Sequence, residues 1–220
     1  IPWPMIQLNL CPNFLVHFSS IEKFNLIILA SPATVRFLFE AVLLNKYTFA
    51  KNIEFAVTGP GTAAELQKFG WHPKYIPDTD YSSYGLIEKF KSFDLSDKNI
   101  FIPRSNIGGQ EIESYLSAIT TVTSAILYQN TRCLPTKPLH DFEAVLFTSP
   151  SAINHFVETY QTTILKGKII VVIGKVTAAA ARKHGLTIDM VANESTTSGL
   201  VHSLASVLQN KKILAYAKGE

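Results

Sequence analysis

Val57-Thr58-Gly59-Pro60-Gly61-Thr62-Ala63-Ala64-Glu65-Leu66-Gln67-Lys68-Phe69-Gly70 is answered later in the chain by Val172-Ile173-Gly174-Lys175-Val176-Thr177-Ala178-Ala179-Ala180-Ala181-Arg182-Lys183-His184-Gly185. Both copies read as a strand end, a glycine turn, Thr-Ala-Ala, a helix and a closing glycine. Their neighbours repeat in the same order. Ile27-Ile28-Leu29-Ala30-Ser31-Pro32-Ala33 is echoed by Val145-Leu146-Phe147-Thr148-Ser149-Pro150-Ser151-Ala152, and Ser83-Tyr84-Gly85-Leu86-Ile87 by Thr197-Ser198-Gly199-Leu200-Val201. The offsets are 149 − 31 = 118, 177 − 62 = 115 and 199 − 85 = 114 residues. Three motifs at nearly one offset mean two copies of one α/β domain.

A chain of 220 residues accommodates two domains of about 100 residues each. The composition, 47% hydrophobic and 17% charged, is that of a globular protein. No apolar run reaches the roughly 20 residues of a membrane span, so the chain is expected to be soluble. Cys11 and Cys133 are the only cysteines and form no C-x-x-C pair. They suggest neither a disulfide framework nor a zinc site, and a reducing cytoplasm fits best. The net charge of +3 comes from scattered lysines and arginines without the basic stripe of a nucleic-acid reader. An anionic small molecule is compatible with it.

Alternating apolar runs and helical stretches predict a parallel sheet in each half. Asn25–Ala30 is a strand apolar on both faces, and Ser31-Pro32 opens a helix to about Asn45. Strands are expected at 53–57, 74–76, 100–102 and 121–128, with helices at 83–91 and from Ile107-Gly108-Gly109 to about Ile119. After the proline-marked connector 133–138 come strands at 144–148, 169–173 and 188–191. Helices are expected at 150–160, 177–184 and 198–209, with a frayed end over 211–220.

In an open parallel sheet, ligands settle at the carboxyl ends of the strands, where helices start with unpaired N–H groups at the positive end of their dipoles. Ser31, Thr62, Ser149 and Thr177 lie at such turns. Their hydroxyls either bind carboxylates and phosphates or only cap their own helices; matching turns in both copies favour paired anion-binding rims, although common ancestry also explains them. Gly59-Pro60-Gly61-Thr62-Ala63-Ala64 fits the dinucleotide pattern G-x-G-x-x-A, with Asp78 and Asp80 about twenty residues on. The fit is partial, because Pro60 stiffens the turn and Val176 stands where the echo needs glycine. His17, His72, His140, His155, His184 and His202 show no metal-binding spacing, and no G-x-S-x-G elbow or P-loop is present.

With the turns placed, the whole order resembles the uroporphyrinogen-III synthase family. The likeness rests on Leu29-Ala30-Ser31-Pro32-Ala33, Gly59-Pro60-Gly61-Thr62-Ala63, Phe101-Ile102-Pro103-Arg104, Tyr128, Phe147-Thr148-Ser149-Pro150-Ser151-Ala152, and Ile173-Gly174 with Thr177-Ala178-Ala179. It implies two similar flavodoxin-like parallel-sheet domains, one inserted in the other and joined by a two-stranded β-ladder. The outer domain would comprise 1–6 and 131–220, the inserted domain 10–121, and the connectors 4–10 and 122–130. The family also has a strand and helix before the position aligned with Ile1, roughly thirty residues, so either the sequence starts after them or the outer domain lacks its first strand and helix.

The resemblance further implies a monomeric, cofactor-independent lyase. It would cyclise linear hydroxymethylbilane, an anionic tetrapyrrole, with loss of water and inversion of the terminal pyrrole ring. Tyr128 matches the family's tyrosine and is the candidate catalytic residue, as proton donor or as orienting group. Ser31, Ala33, Gly61, Thr62, Ala63, Arg104, Ser149, Ser151, Thr177 and Ala178 are the candidate substrate-binding residues, those at the strand-to-helix turns being expected on matching rims of a shared cleft. Val176 takes a place where the family commonly has a hydroxyl residue. Two alternatives stay open: a non-catalytic two-domain clamp for an anionic metabolite, and a dehydrogenase using the Gly59 turn.

Overall fold

The computed structural model describes residues 1–11, 14 and 21–218. The chain divides into two compact units, Leu8–Asn130 and a second made of Ile1–Gln7 with Thr131–Glu220. Both are α/β, built around parallel-rich sheets of five and three strands.

The larger sheet contains β1 (Ile6–Leu10), β2 (Leu26–Leu29), β3 (Glu54–Val57), β4 (Asn99–Ser105) and β5 (Thr121–Arg132) in the order β1-β5-β4-β2-β3. The pairs β2–β3, β2–β4 and β4–β5 are parallel. Beside β5 the chain turns antiparallel. Cys11 N donates to Leu127 O and Cys133 N to Met5 O, so one strand advances as its neighbour recedes.

Side-chain alternation sorts this sheet into two faces. Ile27, Leu29, Phe55, Val57 and Phe101 pack with α1 (Pro32–Leu44) and α2 (Pro60–Gln67). Leu26, Ile28, Ala56, Ile100 and Ile102 pack with α3 (Ser83–Phe90) and α4 (Glu111–Leu116). The continuous run of β2 is therefore wholly buried, as a strand covered on both sides must be. Helix α1 presents Val35, Leu38, Phe39 and Val42 inward at i, i+3, i+4 and i+7. It stops at Asn45, whose side-chain amide donates to Ala41 O, and at Lys46, which turns into the left-handed region.

The smaller unit repeats the plan with β6 (Ala144–Phe147), β7 (Ile169–Val172) and β8 (Met190–Val191), all parallel. Phe147, Ile170 and Val172 pack with α5 (Pro150–Tyr160) and α6 (Lys175–Lys183), while Ile169 and Val171 meet α7 (Thr197–Lys218). The sequence repeat is a repeat of pairing. Leu26↔Glu54 becomes Ala144↔Ile169, with 144 − 26 = 118 and 169 − 54 = 115, and Leu29↔Val57 becomes Phe147↔Val172 at the same offsets. Ala56↔Tyr75 becomes Val171↔Met190, both at 115.

Several expected elements differ. The 74–76 strand is a single parallel bridge outside β3, and β8 begins at Met190 rather than Ile188. With antiparallel β1 set aside and the bridge counted as a strand, the parallel strands run third-second-first-fourth-fifth instead of in the flavodoxin order. Helix α4 is shorter than expected, since Ser117 already closes it, while β5 runs on to Arg132 through β-branched and polar residues. The frayed end is a continuation of α7 to Lys218, because Lys211 to Lys218 contains good helix formers and no glycine or proline; residues 219 and 220 lie outside the described residues. Cys11 and Cys133 are free. Among the described residues, which exclude His17, no helix is long and apolar enough to cross a membrane and no group of three metal-type ligands converges.

Candidate functional site

Every candidate turn sits where a parallel strand ends and a helix starts, but the turns are built in three ways. Ser31 and Ser149 are extended N-caps followed by proline at the first helical position. The Oγ of Ser31 accepts from Thr34 N at 3.1 Å, and that of Ser149 from Ala152 N at 3.2 Å. Gly59 and Gly174 are extended caps without a side chain. Ser82 and Thr196 cap α3 and α7 by accepting from Gly85 N at 3.3 Å and Gly199 N at 2.9 Å. A Cβ on Gly85 would stand 1.8 Å from Asp80 O, and one on Gly199 2.3 Å from Glu194 O. Glycine is required in both copies because the preceding backbone passes against the helix.

The glycine caps move two candidates. Helix α6 starts at Lys175, not Thr177, because Gly174 supplies the cap. Thr62 and Thr177 are consequently third residues of their helices, only 4% and 2% exposed, rather than hydroxyls standing at the turn. Ala63, Ala178 and Ser151 are also buried, and Ser151 Oγ lies 3.1 Å from Ser149 Oγ. Ala33 is half-buried on the first turn of α1. Gly61 has open space where a Cβ would go. Val176, the second residue of α6, is 70% exposed. Tyr81 closes over Gly59, its Cβ 3.0 Å from the place a glycine Cβ would take.

Tyr128 is brought to Ser31 by a register shift. Along β4 and β5 the pairs run in step to Arg104↔Ile126, then jump to Ser105↔Tyr128, leaving Leu127 as an extra residue. Strict alternation would send Leu127 and Tyr128 to opposite faces; the bulge puts both in the core beneath α1. The phenol ring stacks on Phe37 at 4.8 Å and 18°, and its Oη stands 3.3 Å from Ser31 Oγ. Asn106 secures the strand beyond the bulge: its N donates to Tyr128 O, and its side chain accepts from Asn130 N at 2.7 Å. Ser31 Oγ is also 2.9 Å from the hydroxyl of Thr34, a residue 2% exposed.

Arg104 goes the other way. It shares the parity of Ile100 and Ile102, whose face is covered by α3 and α4. Its Nε donates to Ser124 Oγ at 3.0 Å and stands 3.9 Å from a carboxylate oxygen of Glu113 on α4. The guanidinium is thus tied to structural partners on the sheet face opposite Tyr128.

The structure therefore assembles Ser31 with Tyr128, and Ser149 with Ser151, and leaves Arg104 apart from Ser31. Thr34, Thr58 and Asn106 complete the first group, and none stood out in the sequence. Thr58 Oγ1 donates to Ala30 O at 3.0 Å, joining the first turn to the second. Its position in the repeated stretch was visible, but its partner became apparent only once β2 and β3 were paired.

The family described as Uroporphyrinogen-III synthase HemD matches residues 3–202. A comparison with curated proteins gives no match. Among solved structures, uroporphyrinogen-III synthetase from Helicobacter pylori is similar with a TM-score of 0.64 at 19% identity, covering 93% of this chain and 91% of that one. A mutant uroporphyrinogen III synthase from the extremely thermophilic bacterium Thermus thermophilus gives a TM-score of 0.68 at 14% identity, covering 94% and 88%. At such identities these structures establish the shared fold.

Proposed function

The chain belongs to the uroporphyrinogen-III synthase family, and from that premise we propose that it cyclises hydroxymethylbilane to the type III macrocycle, with loss of water and inversion of the last pyrrole ring. The observation that carries this reading is the phenol of Tyr128, turned by a bulge onto the capped start of α1.

The positive end of the α1 dipole and a hydroxyl cluster favour an oxygen that is taking up a bond pair and gaining negative charge. The substrate's C–O bond breaks, the electron pair leaves with oxygen, and the Tyr128 hydrogen bond or proton accompanies it as water forms. The remaining azafulvenium-like cation is attacked by the substituted carbon of the terminal pyrrole. The spiro intermediate rearranges, and the proton released as the ring regains aromaticity restores the phenol. Holding both ends of one chain close is the larger contribution, because it makes ring closure effectively unimolecular. The starts of α1 and α2 supply donors for the substrate's carboxylates, and the starts of α5 and α6 in the other unit are of the same kind. In this reading the reaction draws on no metal or organic cofactor.

Leu8–Asn130 then holds the inserted domain, the other unit is the outer domain, and the antiparallel stretch of β1 and β5 is the ladder joining them. The protein works as a cytoplasmic monomer. Incubation with enzymatically generated hydroxymethylbilane, followed by oxidation and separation of isomers, tests the function: a type III fraction above the spontaneous type I background is expected. A second reading, a clamp that binds an anionic metabolite without turnover, is favoured by exposed, apolar Val176 at the start of α6. Saturable binding of hydroxymethylbilane with only the type I product would select it.

A further inference from the structure

The hydroxyls of Thr34, Ser31 and Tyr128 stand in a row, at 2.9 Å and then 3.3 Å. Two proton orders fit these distances, one running toward Tyr128 and one running away. The surroundings distinguish them. Ser31 Oγ already accepts from Thr34 N. A buried threonine in a helix ordinarily donates to the carbonyl four residues back. For Thr34 that is Ala30 O, which takes the hydroxyl of Thr58, and the next is Ser31 O, which takes Val35 N; each could accept a second bond, but among the described residues the Thr34 hydroxyl bonds to neither. The acceptor left to Thr34 is Ser31 Oγ, within 2.9 Å.

We infer that the three hydroxyls form a directed chain, Thr34 donating to Ser31 and Ser31 donating to Tyr128, which makes buried Thr34 a positioning residue for the phenol. This rests on the assignment of Tyr128 to the leaving hydroxyl. A hydroxyl has one proton and two acceptor sites. Once Ser31 accepts twice from Thr34, its own proton goes to Tyr128 Oη, and the phenol proton is turned outward, free to be donated. Each bond polarises the next, and the chain ends at the positive end of the α1 dipole, so negative charge on the phenol oxygen is favoured. Ser31, Thr34 and Phe37 recur at intervals of three along α1, so one line of the helix holds both the phenol oxygen and the phenol ring.

Thr34→Val tests this cleanly, because it deletes the hydroxyl but keeps the backbone N–H on which the Ser31 cap depends. The expected result is a fall in kcat of about 3- to 10-fold with KM unchanged, restoration by Thr34→Ser, and no further loss when Thr34→Val is added to Tyr128→Phe. A readout independent of turnover is 13C NMR of protein labelled at tyrosine Cζ, with the Tyr128 resonance identified by its loss in Tyr128→Phe. Its chemical shift at neutral pH, which reports the hydrogen bond to Oη, is expected to move in Thr34→Val toward that of a phenol whose oxygen accepts none, and to return in Thr34→Ser. Should Thr34→Val fail to fold, Thr34→Ala carries the same test. An unmoved resonance in the variant overturns the directed chain, even if the wild type makes the type III isomer. A resonance that moves in Thr34→Val, in a protein whose wild type makes only type I, supports the chain and overturns the function instead.

Discussion

The two copies keep the same skeleton and part at the same turn. Ser31-Pro32 and Ser149-Pro150 both cap a helix through the amide three residues on. Position 34 is threonine and its counterpart, 34 + 118 = 152, is alanine; position 37 is phenylalanine and its counterpart, 155, is histidine. In the first copy the serine meets the buried Thr34 hydroxyl and the Tyr128 phenol, whereas in the second it meets Ser151. What folding demands, the cap and the close-packed glycine, is duplicated. What the chemistry is proposed to use is present once.

The largest expected effect breaks the shared part. Gly85→Ala and Gly199→Ala each drive a methyl into a backbone carbonyl and should destabilise the protein by about 2 to 4 kcal/mol, measured by urea unfolding. Gly61→Ala, with open space around it, should be neutral or stabilising by a few tenths of a kcal/mol. If all three behave alike, the close approach is not what holds these glycines in place.

Next in size is the part that is present once. Tyr128→Phe should slow turnover by about 10- to 1000-fold while leaving the urea midpoint nearly unchanged. Wild-type turnover in that variant removes Tyr128 from the mechanism.

The smallest expected effect concerns the start of the second strand, where the copies again differ: Glu54 is matched by Ile169, 54 + 115 = 169. Burial pushes the Glu54 carboxyl up, but the hydrogen bond from Lys74 and the charge of Lys98 outweigh it, and its pKa falls below the ordinary 4.5. A carboxylate whose pKa is lower folded than unfolded stabilises above the unfolded value, and that stability is lost as pH falls through the folded one. Glu54→Gln should therefore lower stability at pH 7 by about 0.5 to 1 kcal/mol and reduce the loss on acidification below pH 4.5. An unchanged acid limb in urea titrations would show that the Lys74–Glu54–Lys98 cluster contributes nothing.

Most of the fold was legible because a repeat reports pairing as well as elements. Offsets of 118 and 115 carried Leu26↔Glu54 onto Ala144↔Ile169 without any register having to be guessed. The weak strand near Tyr75 was legible only as an apolar triplet, and it is held by one bridge, which is too little to show in local propensity. The site was legible to the depth of caps: Ser31 and Ser149 announce themselves by the proline that follows. Thr177 was misplaced by two residues because glycine caps through backbone conformation, which leaves no side-chain mark. Tyr128 was visible as a residue type, but its side of the sheet depends on one residue, Leu127, that has no partner in β4, and alternation along the strand points the wrong way. Arg104, expected among the substrate-binding residues, follows the regular part of the register to the sheet face opposite Tyr128.

The most direct test compares Ser31→Ala with Ser149→Ala in steady-state turnover of hydroxymethylbilane, alongside their urea midpoints. Both should lose about 1 kcal/mol of stability as capping residues. Ser31→Ala should lower kcat, and Ser149→Ala should act on KM alone. Equal falls in kcat for the two would contradict the assignment of the chemistry to the first copy.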